Sequence, residues 1–517
     1  MQPVRKELYC DLCIVGGGVG GCAAAIEAAR KGLHVILVEK GVSLGGLATN
    51  GYVPQIAGGT EGICLEFAKE LEKRGHLRKL KVPGGPEEGF YRNSSFEPEH
   101  GKFVLEDMLM SAGARVLYDA TCFDVDMDGE IIREAFFHTK GGVMGIKAEM
   151  YIDATGDADV AAMANVPCEI GGQDFAGLNI SSTLGSRWSG ANLTRYYEED
   201  RKYRKKQADE GAKEVHPLIY DLECQWIEEG KLVRHVANKF SGFFAVIIPP
   251  TTLDNADFAT FSFHSYYCHN TDCEDITRQV LEQHQLMKGF EEFLRNAVPG
   301  IENVRLVGTG SLPGARESRR IYGEYMLKAA DVCCGTKFGD GIARFPEMLD
   351  THHPTNSDLV FMRHFHMKEP KGSAVTLQGF DPAYMHPLGH PEGVQVRPSP
   401  ADWCDIPYRS IVPKVCDNLF VVGRCCSAEF HANGAMRIIG PSMGTGHAAG
   451  LASYVAISEK VRPRDIDGRV IRQMLIAEGV PLDQPTDEFW EFTRKQAEEG
   501  EFFINPGDAI STRPKKN

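Results

Sequence analysis

The sequence has no excess of positive charge, no long apolar run and no export signal, and each absence excludes a class of protein. Its 56 Lys and Arg stand against 71 Asp and Glu, which gives a net charge of −15. That charge disfavours a nucleic acid or an anionic membrane as the principal partner. No apolar run is long enough to span a bilayer, and the polar stretch from Met1 to Leu8 lacks a signal-peptide core. We therefore expect a cytoplasmic protein that binds neither nucleic acid nor membrane.

The sequence also lacks a disulfide pattern, internal repeats and low-complexity tracts. Its 15 cysteines are an odd number in a large chain without an export signal, which indicates reduced thiols. Cys10 and Cys13 fall in or beside an apolar strand and are interpreted as small core residues. Cys333-Cys334 and Cys425-Cys426 could each form a strained vicinal disulfide, although two thiols are favoured. No Cys or His pattern has a recognised ligand spacing, so no metal site is predicted.

The strongest signal present lies between Leu12 and Glu39. Leu12-Cys13-Ile14-Val15 is a continuously apolar run, typical of a parallel strand buried on both faces. The six residues that follow, GGGVGG, fit the pattern G-x-G-x-x-G and lead into an alanine-rich helix pattern. A second apolar run then ends on Glu39. Strand, glycine turn, helix, strand and acid occur in the order of a dinucleotide-binding unit.

Each part of this unit has a physical task. Gly16 lets the strand turn sharply, Gly18 lets the backbone approach a pyrophosphate, and Gly21 lets the helix pack closely on the sheet. The helix directs its unpaired N–H groups and positive dipole end at the phosphates. Glu39 stands where a carboxylate accepts hydrogen bonds from a ribose diol and repels a 2′-phosphate. The pattern predicts a site for FAD or NAD rather than NADP; the alternative is a glycine-rich turn without a ligand.

Two later segments are predicted to return to this nucleotide. Gly45-Gly46 suits backbone that passes close to a cofactor, or else a flexible loop. A strand ending near residue 152 runs into an A-T-G-D turn, whose small residues suit a backbone beside a nucleotide. Asp157 and Asp159 are interpreted either as cofactor contacts or as N-caps of the following helix, and the two roles are compatible.

The composition changes between residues 178 and 302, which predicts an inserted domain. Residues 240–250 and 258–267 have the pattern of strands, and residues 275–296 that of a long amphipathic helix. Such a domain commonly forms the second wall of a substrate cleft. Before it, residues 60–82 predict a helix, and residues 88–101 predict a polar loop.

Charged residues between positions 309 and 332 allow two interpretations. Glu317 with Arg320, and Arg320 with Glu324, have helical spacing for surface ion pairs. Alternatively an arginine, such as Arg316 or Arg319, is presented to an anionic or oxyanionic substrate.

Histidines concentrate in the next segment, which is rich in Pro and Gly and is predicted to be an irregular loop over a surface or cleft. One or two of them are expected to act as acid–base groups, because an imidazole titrates near neutral pH. The six are His352, His353, His364, His366, His386 and His390.

The last signature begins with a buried strand from Asn418 that ends at Gly423. Gly440-Pro441-Ser442 then opens a helix, with proline at a favoured first-turn position. Glycines and alanines from Gly444 to Gly450 leave a surface poor in side chains, which permits close approach of another backbone or a planar ring. A helix N-terminus at a flavin's pyrimidine edge would stabilise the charge of the reduced ring.

Together these stretches resemble the FAD-dependent oxidoreductase family of the glutathione-reductase-like superfamily. The matching stretches are DLCIVGGGVGGCAAAIEAARKGLHVILVEKGVSLGGLATNGYV, YIDATGDADVAA, GARESRRIYGEYML, IPYRSIVPK and NLFVVGRCCSAEFHANGAMRIIGPSMGTGHAAG. The resemblance covers most of the chain except the inserted domain and the last fifty residues. It is specific for fold and cofactor, but the family is too diverse to name a substrate.

The resemblance implies a role for individual positions. The pyrophosphate would lie on Gly16, Gly18 and Gly21, and the adenosine ribose on Glu39. The remaining cofactor contacts would be Gly45, Gly46, Ala48, Asp157, Gly423, Ser442, Met443, Gly444 and Thr445. The His/Asn/Arg run that precedes the flavin helix in fumarate-reductase-like enzymes would correspond to His431, Asn433 and Arg437. No histidine lies in the loop where some relatives attach FAD covalently, so non-covalent FAD is expected.

The sequence therefore predicts an α/β fold: a Rossmann-like FAD-binding domain, with a parallel sheet and a small β-meander, plus an inserted α+β cap. The expected boundaries are 1–177 and 401–460 for the FAD-binding domain, 178–302 for the cap, 303–400 for a cleft segment and 461–517 for a helical tail.

The expected function is a dehydrogenase that passes hydride from a sugar, polyol or hydroxy acid to flavin N5. The alternatives are a fumarate-reductase-like reductase of an unsaturated acid and a non-catalytic flavin-binding subunit. Proton transfer is assigned to His431 and His352, and charge stabilisation to Arg316, Arg319 and Arg437. The expected partners are a small-molecule substrate and an unidentified electron acceptor, and a second copy of the chain is a further candidate partner.

Overall fold

The structure is a computed structural model, and it describes residues 6–81, 86–212, 215–233, 245–334, 336–346, 349–355, 360–363 and 403–483. Its strands are β1 (Lys6–Val15), β2 (Val35–Val38), β3 (Gln55–Ile56), β4 (Leu77–Leu80), β5 (Phe90–Phe96), β6 (Arg115–Leu117), β7 (Thr121–Asp128), β8 (Ile131–Thr139), β9 (Gly142–Asp153), β10 (Cys168–Ile170), β11 (Ser182–Thr183), β12 (Ser186–Ala191), β13 (Ala245–Thr252), β14 (Asn255–Thr260), β15 (His264–Ser265), β16 (Arg305–Thr309), β17 (Arg319–Ile321), β18 (Gly341–Phe345), β19 (Leu349–His352), β20 (Val360–Arg363), β21 (Cys404–Pro407) and β22 (Leu419–Val421). Its helices are α1 (Val19–Arg30), α2 (Gly62–Lys73), α3 (Pro98–Ala112), α4 (Asp159–Met163), α5 (Leu193–Asp209), α6 (Leu218–Glu228), α7 (Cys273–Ala297), α8 (Ala329–Cys334), α9 (Asn433–Met436), α10 (Ile439–Glu459) and α11 (Gly468–Ala477).

The central sheet has parallel strands in the order β6-β2-β1-β9-β22. Ile14 pairs with Leu37 on one side and with Ile152 on the other, so the apolar end of β1 is buried in mid-sheet, as its sequence predicts. The first half of β9 instead pairs antiparallel with β8, which pairs with β7, and these strands form the predicted meander. The Rossmann-like α/β fold is confirmed.

Helices α1 and α10 pack against each other through residues that lack side chains. A Cβ atom on Gly446 would lie 2.0 Å from the Gly20 carbonyl oxygen, and one on Gly450 would lie 2.4 Å from that of Ala24. Either contact is far shorter than atoms allow, so the close approach depends on glycine. The sequence left two roles for the small residues of α10, close approach to another backbone or to a planar ring. Gly446 and Gly450 have the first role.

The region predicted as an inserted cap, called the cap below, contains an antiparallel sheet in the order β13-β14-β12-β16, with α5, α6 and α7 beside it. Trp188 of β12 is fully buried, and its ring lies 6.3 Å from that of Phe258 and 6.1 Å from that of Phe290 in α7. The long helix predicted at 275–296 is confirmed. Strand β16 continues the cap sheet past residue 302.

A helix is present within residues 60–82, as predicted, but it is shorter than predicted, and the prediction for residues 88–101 is wrong. The helix predicted over residues 60–82 ends at Lys73, because the chain turns at Gly75, with φ of 78°, and continues as β4. The predicted loop at 88–101 contains β5, which pairs with β3 and β4. The Ser95 hydroxyl of β5 also donates to the Ile247 carbonyl in the cap at 2.7 Å. Strand β5 therefore depends on distant partners that its polar sequence does not reveal.

The predicted helical tail at 461–517 contains helix α11, and its residues beyond 483 lie outside the described residues. Cys425 and Cys426 are free, buried thiols, as predicted, and Cys10 and Cys13 are buried in the core. The side chains of Cys333 and Cys334 lie outside the description. Within the described ranges, no helix is both long and apolar enough to cross a bilayer.

Candidate cofactor and substrate site

The turn after β1 contains two glycines that the fold requires and one glycine whose missing side chain leaves space. Gly16 has φ of 108°, and a Cβ atom there would lie 2.4 Å from the Ala154 carbonyl oxygen. A Cβ on Gly21 would lie 2.0 Å from the Gly16 oxygen. At Gly18, by contrast, the nearest atom would be 3.9 Å away, so its missing side chain leaves open space. This space fits the close approach of a pyrophosphate to the backbone.

Helix α1 begins at this turn with its positive end uncompensated. Its N-cap is Gly18, which has no side chain to accept from the first-turn N–H groups, and no acidic residue lies in the first turn. Such an end attracts an anion. The observation fits the phosphate role that the sequence predicts for the turn.

Glu39 is held beside the same turn by two backbone amides. One carboxylate oxygen accepts from the Gly17 N–H and the other from the Gly41 N–H, each at 2.7 Å. A carboxylate can accept about four hydrogen bonds, so capacity remains for ribose hydroxyls. The buried position of Glu39 at the end of β2 therefore suits the predicted ribose contact.

The glycine loop after Glu39 lies directly against the dinucleotide turn. The Gly45 N–H donates to the Gly17 carbonyl at 2.8 Å, and a Cβ on Gly46 would lie 3.1 Å from the Gly18 Cα. Both residues have positive φ, 97° and 54°. Ala48 follows and is buried in the core. Hydrogen bonding and backbone shape thus fix the loop at the turn.

Helix α4 follows the A-T-G-D turn, and its first N–H groups are bound by residues other than Asp157 and Asp159, which were the expected caps. Asp153 accepts from the Ala161 N–H at 2.9 Å, and the Thr155 hydroxyl accepts from the Asp159 N–H at 3.1 Å. Burial raises the pKa of Asp153 to about 6, although hydrogen bonds from Thr155 and Ala161 oppose the shift. The carboxylate of Asp157 instead pairs with Arg424 at 2.6 Å. The N-cap interpretation of Asp157 is therefore wrong, and its alternative as a cofactor contact stays a prediction.

Arg424, which the sequence did not single out, joins several parts of the site. Its Nε donates to the Gly156 carbonyl at 2.7 Å, and another guanidinium nitrogen donates to the Ala315 carbonyl. Its own carbonyl accepts from the Asn433 side chain at 2.6 Å. One arginine thereby links the A-T-G-D turn, the segment before Arg316 and the segment after His431.

The start of α10 and the nearby Gly423 contain the remaining predicted cofactor contacts. Gly423 has φ of 74°, and its N–H donates to the Thr445 hydroxyl at 3.1 Å. The Ser442 hydroxyl donates to the Met436 carbonyl, also at 3.1 Å. Met443 is buried in the core, and a Cβ on Gly444 would lie 2.8 Å from that of Ala343. We call the combined surface the cradle, defined by residues 16–18, 45–46, 154–157, 423 and 442–445.

The arginine-rich segment is not helical. Arg319 to Ile321 form β17, which pairs with β10, so the predicted helical spacing does not apply. Arg320 is fully buried and contacts Glu169 at 3.0 Å and Glu317 at 3.5 Å. The predicted surface location of this ion pair is wrong, because the extended backbone turns Arg320 inward.

Arg319 and Arg316 have different neighbours. Arg319 donates to the Asp157 carbonyl and to the Asp159 carboxylate, each at 2.9 Å, which holds the A-T-G-D turn. Arg316 donates to the Ser181 carbonyl at 2.9 Å, and a second guanidinium nitrogen lies 3.5 Å from Nε2 of His264.

His264 and His352 bring the cap and the cleft segment together. His264 is buried, its Nδ1 lies 2.9 Å from the Ser181 hydroxyl, and its ring centroid lies 4.6 Å from that of His352. The structure therefore places two predicted catalytic residues, Arg316 and His352, at one cluster. His264 was missed, since nothing in its local sequence connects it to Arg316.

His431 belongs to a row of packed rings that ends at His353, which follows His352 in the chain. Its ring centroid is 5.3 Å from that of Phe430, which is 5.4 Å from that of Phe175, and Phe175 is 5.0 Å from His353. Burial lowers the pKa of His431 to about 4; the nearby charges of Arg320 and His353 act in the same direction and Asp174 opposes them. Burial also lowers the pKa of His353.

These side chains form a second group of candidate residues, joined by the contacts given above and by the adjacency of His352 and His353 in the chain. We call it the His/Arg wall, and its members are Ser181, His264, Arg316, His352, His353 and His431. Arg437 lies further along, where its N–H donates to the Asn433 carbonyl at 3.2 Å. The predicted loop histidines His364, His366, His386 and His390 lie outside the described residues.

Comparison with known proteins identifies the family to which the chain is similar. The family model described as FAD dependent oxidoreductase matches residues 11–475. A cinnamate reductase from Clostridium sporogenes is 29% identical over 179 residues, which are 32% of this chain and 25% of that protein. A mitochondrial dihydrolipoyl dehydrogenase from Schizosaccharomyces pombe is 52% identical over 48 residues, 9% of each chain. The matches thus span a quarter or less of these curated relatives.

Solved structures are similar over most of their length but only loosely. A geranylgeranyl bacteriochlorophyll reductase-like protein from Thermoplasma acidophilum matches 98% of this chain and 95% of its own, with 14% identity and a TM-score of 0.45. A p-nitrophenol 4-monooxygenase from Pseudomonas putida matches 98% of this chain and 96% of its own, with 9% identity and a TM-score of 0.42.

Proposed function

The chain belongs to the FAD dependent oxidoreductase family, and from this premise we propose that it is a dehydrogenase acting on an oxygenated, polar small molecule. The protein is an enzyme, and FAD is its cofactor. The hydride acceptor when FAD is bound is flavin N5. The protein binds and orients both molecules and manages the proton. Non-covalent attachment of FAD and a cytoplasmic location remain predictions.

The observation that carries the proposal is the junction at Arg424. Its side chain contacts Gly156 and Asp157 of the cradle and also Ala315, the neighbour of Arg316. Its main chain holds Asn433, two positions after His431. These contacts support the proposal because they connect candidate residues from three distant parts of the sequence through one arginine, and a reaction between cofactor and substrate requires such residues to be held near one another.

The protonation state of His431 is compatible with the role of proton acceptor. With a pKa of about 4, its imidazole is neutral near pH 7. A neutral imidazole can accept the proton that leaves a substrate hydroxyl. We assign His431 as the proton acceptor and leave His352 as a second candidate on the same wall.

Roles for the arginines follow from their neighbours. Arg316, on the wall, is assigned to charge stabilisation of the substrate. Arg319, bonded to Asp157 and Asp159, is assigned to holding the turn, and Arg437 keeps the charge-stabilising role that the resemblance implies.

A second candidate is a reductase of an unsaturated acid. The stretch of similarity to a cinnamate reductase favours it, since that relative's name denotes reduction. In this case the same wall would hold the acid, and His431 would act in the reverse direction, returning a proton to the substrate.

Anaerobic visible spectroscopy of the FAD-loaded protein distinguishes the candidates. Sugars, polyols, hydroxy acids and unsaturated acids are added in turn to the oxidised protein, and we expect one hydroxyl-bearing class to abolish the oxidised-flavin absorbance. If none does, and the dithionite-reduced protein is instead reoxidised by an unsaturated acid, the enzyme is a reductase and the dehydrogenase proposal fails.

A further inference from the structure

We infer that Glu27, His447 and Glu478 form a binding site for a divalent metal ion, and that Zn²⁺ is the ion that their chemistry matches best. The three side chains come from α1, from α10 and from the residue that follows α11. No local spacing connects positions so far apart, which is why the sequence predicts no metal site. The inference goes beyond the proposed function and does not depend on it, because none of the three residues belongs to the cradle or to the His/Arg wall.

The distances around His447 match the edges of a metal coordination shell. Its Nε2 lies 3.4 Å from Oε2 of Glu27 and 3.3 Å from Oε2 of Glu478. A charge-assisted hydrogen bond would be about 2.7–2.9 Å long. In a tetrahedral zinc site, whose ligands lie about 2.0–2.1 Å from the ion, neighbouring ligand atoms are about 3.3–3.4 Å apart. One ligand atom from each of the three residues lies within 4.8 Å of the other two, so a small rotation of Glu478 completes the shell.

The carboxylate of Glu27 is buried and only weakly compensated. Glu27 is 4% exposed, and its Oε1 accepts no hydrogen bond from the described residues. The Lys31 ammonium lies 3.5 Å from this oxygen and also contacts Glu478. A buried carboxylate costs free energy unless a cation or hydrogen bonds compensate it. A metal ion that binds Glu27 directly therefore compensates it better than Lys31 does in the metal-free protein.

The orientation of His447 is fixed by α2. A Cβ atom on Gly62 would lie 2.7 Å from the His447 Nδ1, so the imidazole occupies the space beside this glycine and directs Nε2 at the two carboxylates. One imidazole and two carboxylates suit Zn²⁺, whereas Ca²⁺ and Mg²⁺ prefer oxygen ligands alone. Three protein ligands leave one position of a tetrahedral zinc ion for water.

The position of the site assigns the ion a structural role. Glu27 and His447 each lie about 12 Å along their helix from its first residue, Val19 in α1 and Ile439 in α10. Both helices begin in or beside the cradle. An ion bound to both would connect them at a further point, beyond the close contacts of Gly446 and Gly450, and would join the end of α11 to the pair.

The test is calorimetric titration of Zn²⁺ into the chelator-treated, FAD-loaded protein at constant pH, because these ligands bind metal only when deprotonated. We expect one ion per chain and a melting temperature that rises with added zinc, because the ion binds the folded state. Glu27→Gln and His447→Gln should each weaken binding by about 100-fold or more, since loss of an outer-shell partner already costs about 10- to 100-fold. FAD content should be unchanged in both variants.

A third variant gives a readout of the opposite sign. Lys31→Gln removes a cation that competes for both carboxylates and leaves all three ligands in place. It should strengthen zinc binding by about 2- to 5-fold, the range expected when a partly exposed ion pair is released. A change that only loosened the helices would weaken binding instead. Weaker or unchanged zinc binding in Lys31→Gln would contradict the inference.

A matched control separates the site from general charge effects. Glu66 of α2 pairs with Arg30 of α1 at 2.7 Å, so Glu66→Gln removes the same charge from the same pair of helices. It should leave zinc binding unchanged. Equal losses in Glu66→Gln and Glu27→Gln overturn the inference, and so does zinc binding that persists in both Glu27→Gln and His447→Gln. If the wild-type protein binds no zinc, the inference fails and the proposed dehydrogenase stands.

Discussion

The cradle and the His/Arg wall are both connected to Arg424, directly or through neighbouring residues, and they are built in different ways. The cradle consists of backbone: turns whose shape requires glycine, a bare helix end, and carbonyl and amide groups that bond to each other. The wall consists of side chains from the cap, β19 and the segment before α9. Backbone surfaces suit a large, constant cofactor, whereas side-chain surfaces can vary with the substrate.

The largest effect should come from substitutions of the cradle glycines. These substitutions should distinguish loss of folding stability from loss of FAD binding. Gly16→Ala combines a positive φ with a contact of 2.4 Å and should destabilise the FAD-free protein by about 2–4 kcal/mol. Gly18→Ala meets no atom nearer than 3.9 Å and, at a helix N-cap, should cost less than about 1 kcal/mol.

Both variants should nevertheless lose FAD, Gly18→Ala because its methyl group fills the space assigned to the pyrophosphate. Thermal unfolding of the FAD-free proteins and the flavin absorbance of the purified proteins check the two expectations. A Gly18→Ala protein that retains full FAD would show that this space is not the phosphate site.

A smaller effect is expected behind the cradle, where an ionic cluster joins α1, α10 and the end of α11. The His447 Nε2 lies 3.4 Å from Glu27 and 3.3 Å from Glu478, and Lys31 contacts both carboxylates. Hydrogen bonds and attraction from Glu27 and Glu478 raise the pKa of His447 against the opposing effect of burial. When His447 is protonated, the positive charges of His447 and Lys31 balance the negative charges of the two carboxylates.

Because the folded pKa is raised, the stabilisation is complete below the pKa of the unfolded imidazole, about 6.5. It is lost as the pH rises through the higher pKa of the folded protein. His447→Gln should lower stability at pH 6 by about 1–2 kcal/mol and less at pH 9. Melting temperatures from pH 5 to 9 measure this, and an identical pH dependence in wild type and variant would exclude His447 as the titrating group.

The contrast between the cradle and the His/Arg wall also explains which features of the molecule could be predicted from the sequence. The order of strand, glycine turn, helix and acid is local, so the Rossmann-like sheet and the position of the cradle follow from short motifs. Arg424 binds Asp157 across 267 positions, and Arg316 meets His264 across 52. Such contacts depend on how the cap folds back on the sheet, and no local pattern encodes them.

Errors in the prediction have the same origin. Helical spacing was assigned around Arg320 because Glu317 and Glu324 suit it, but pairing with β10 makes the segment extended and buries the guanidinium. The polar sequence of β5 predicts a loop, whereas its partners β3 and β4 make it a strand. Tertiary pairing decides both cases.

The most direct test of the account is the rate of anaerobic flavin reduction per bound FAD in His431→Ala, with the substrate identified by spectroscopy. His138→Ala, exposed on the meander, is the matched control. The account predicts unchanged FAD content in both variants, an unchanged rate in His138→Ala, and a rate about 10²- to 10⁴-fold lower in His431→Ala, because the proton acceptor is lost. An undiminished rate in His431→Ala would contradict the assignment of chemistry to the wall.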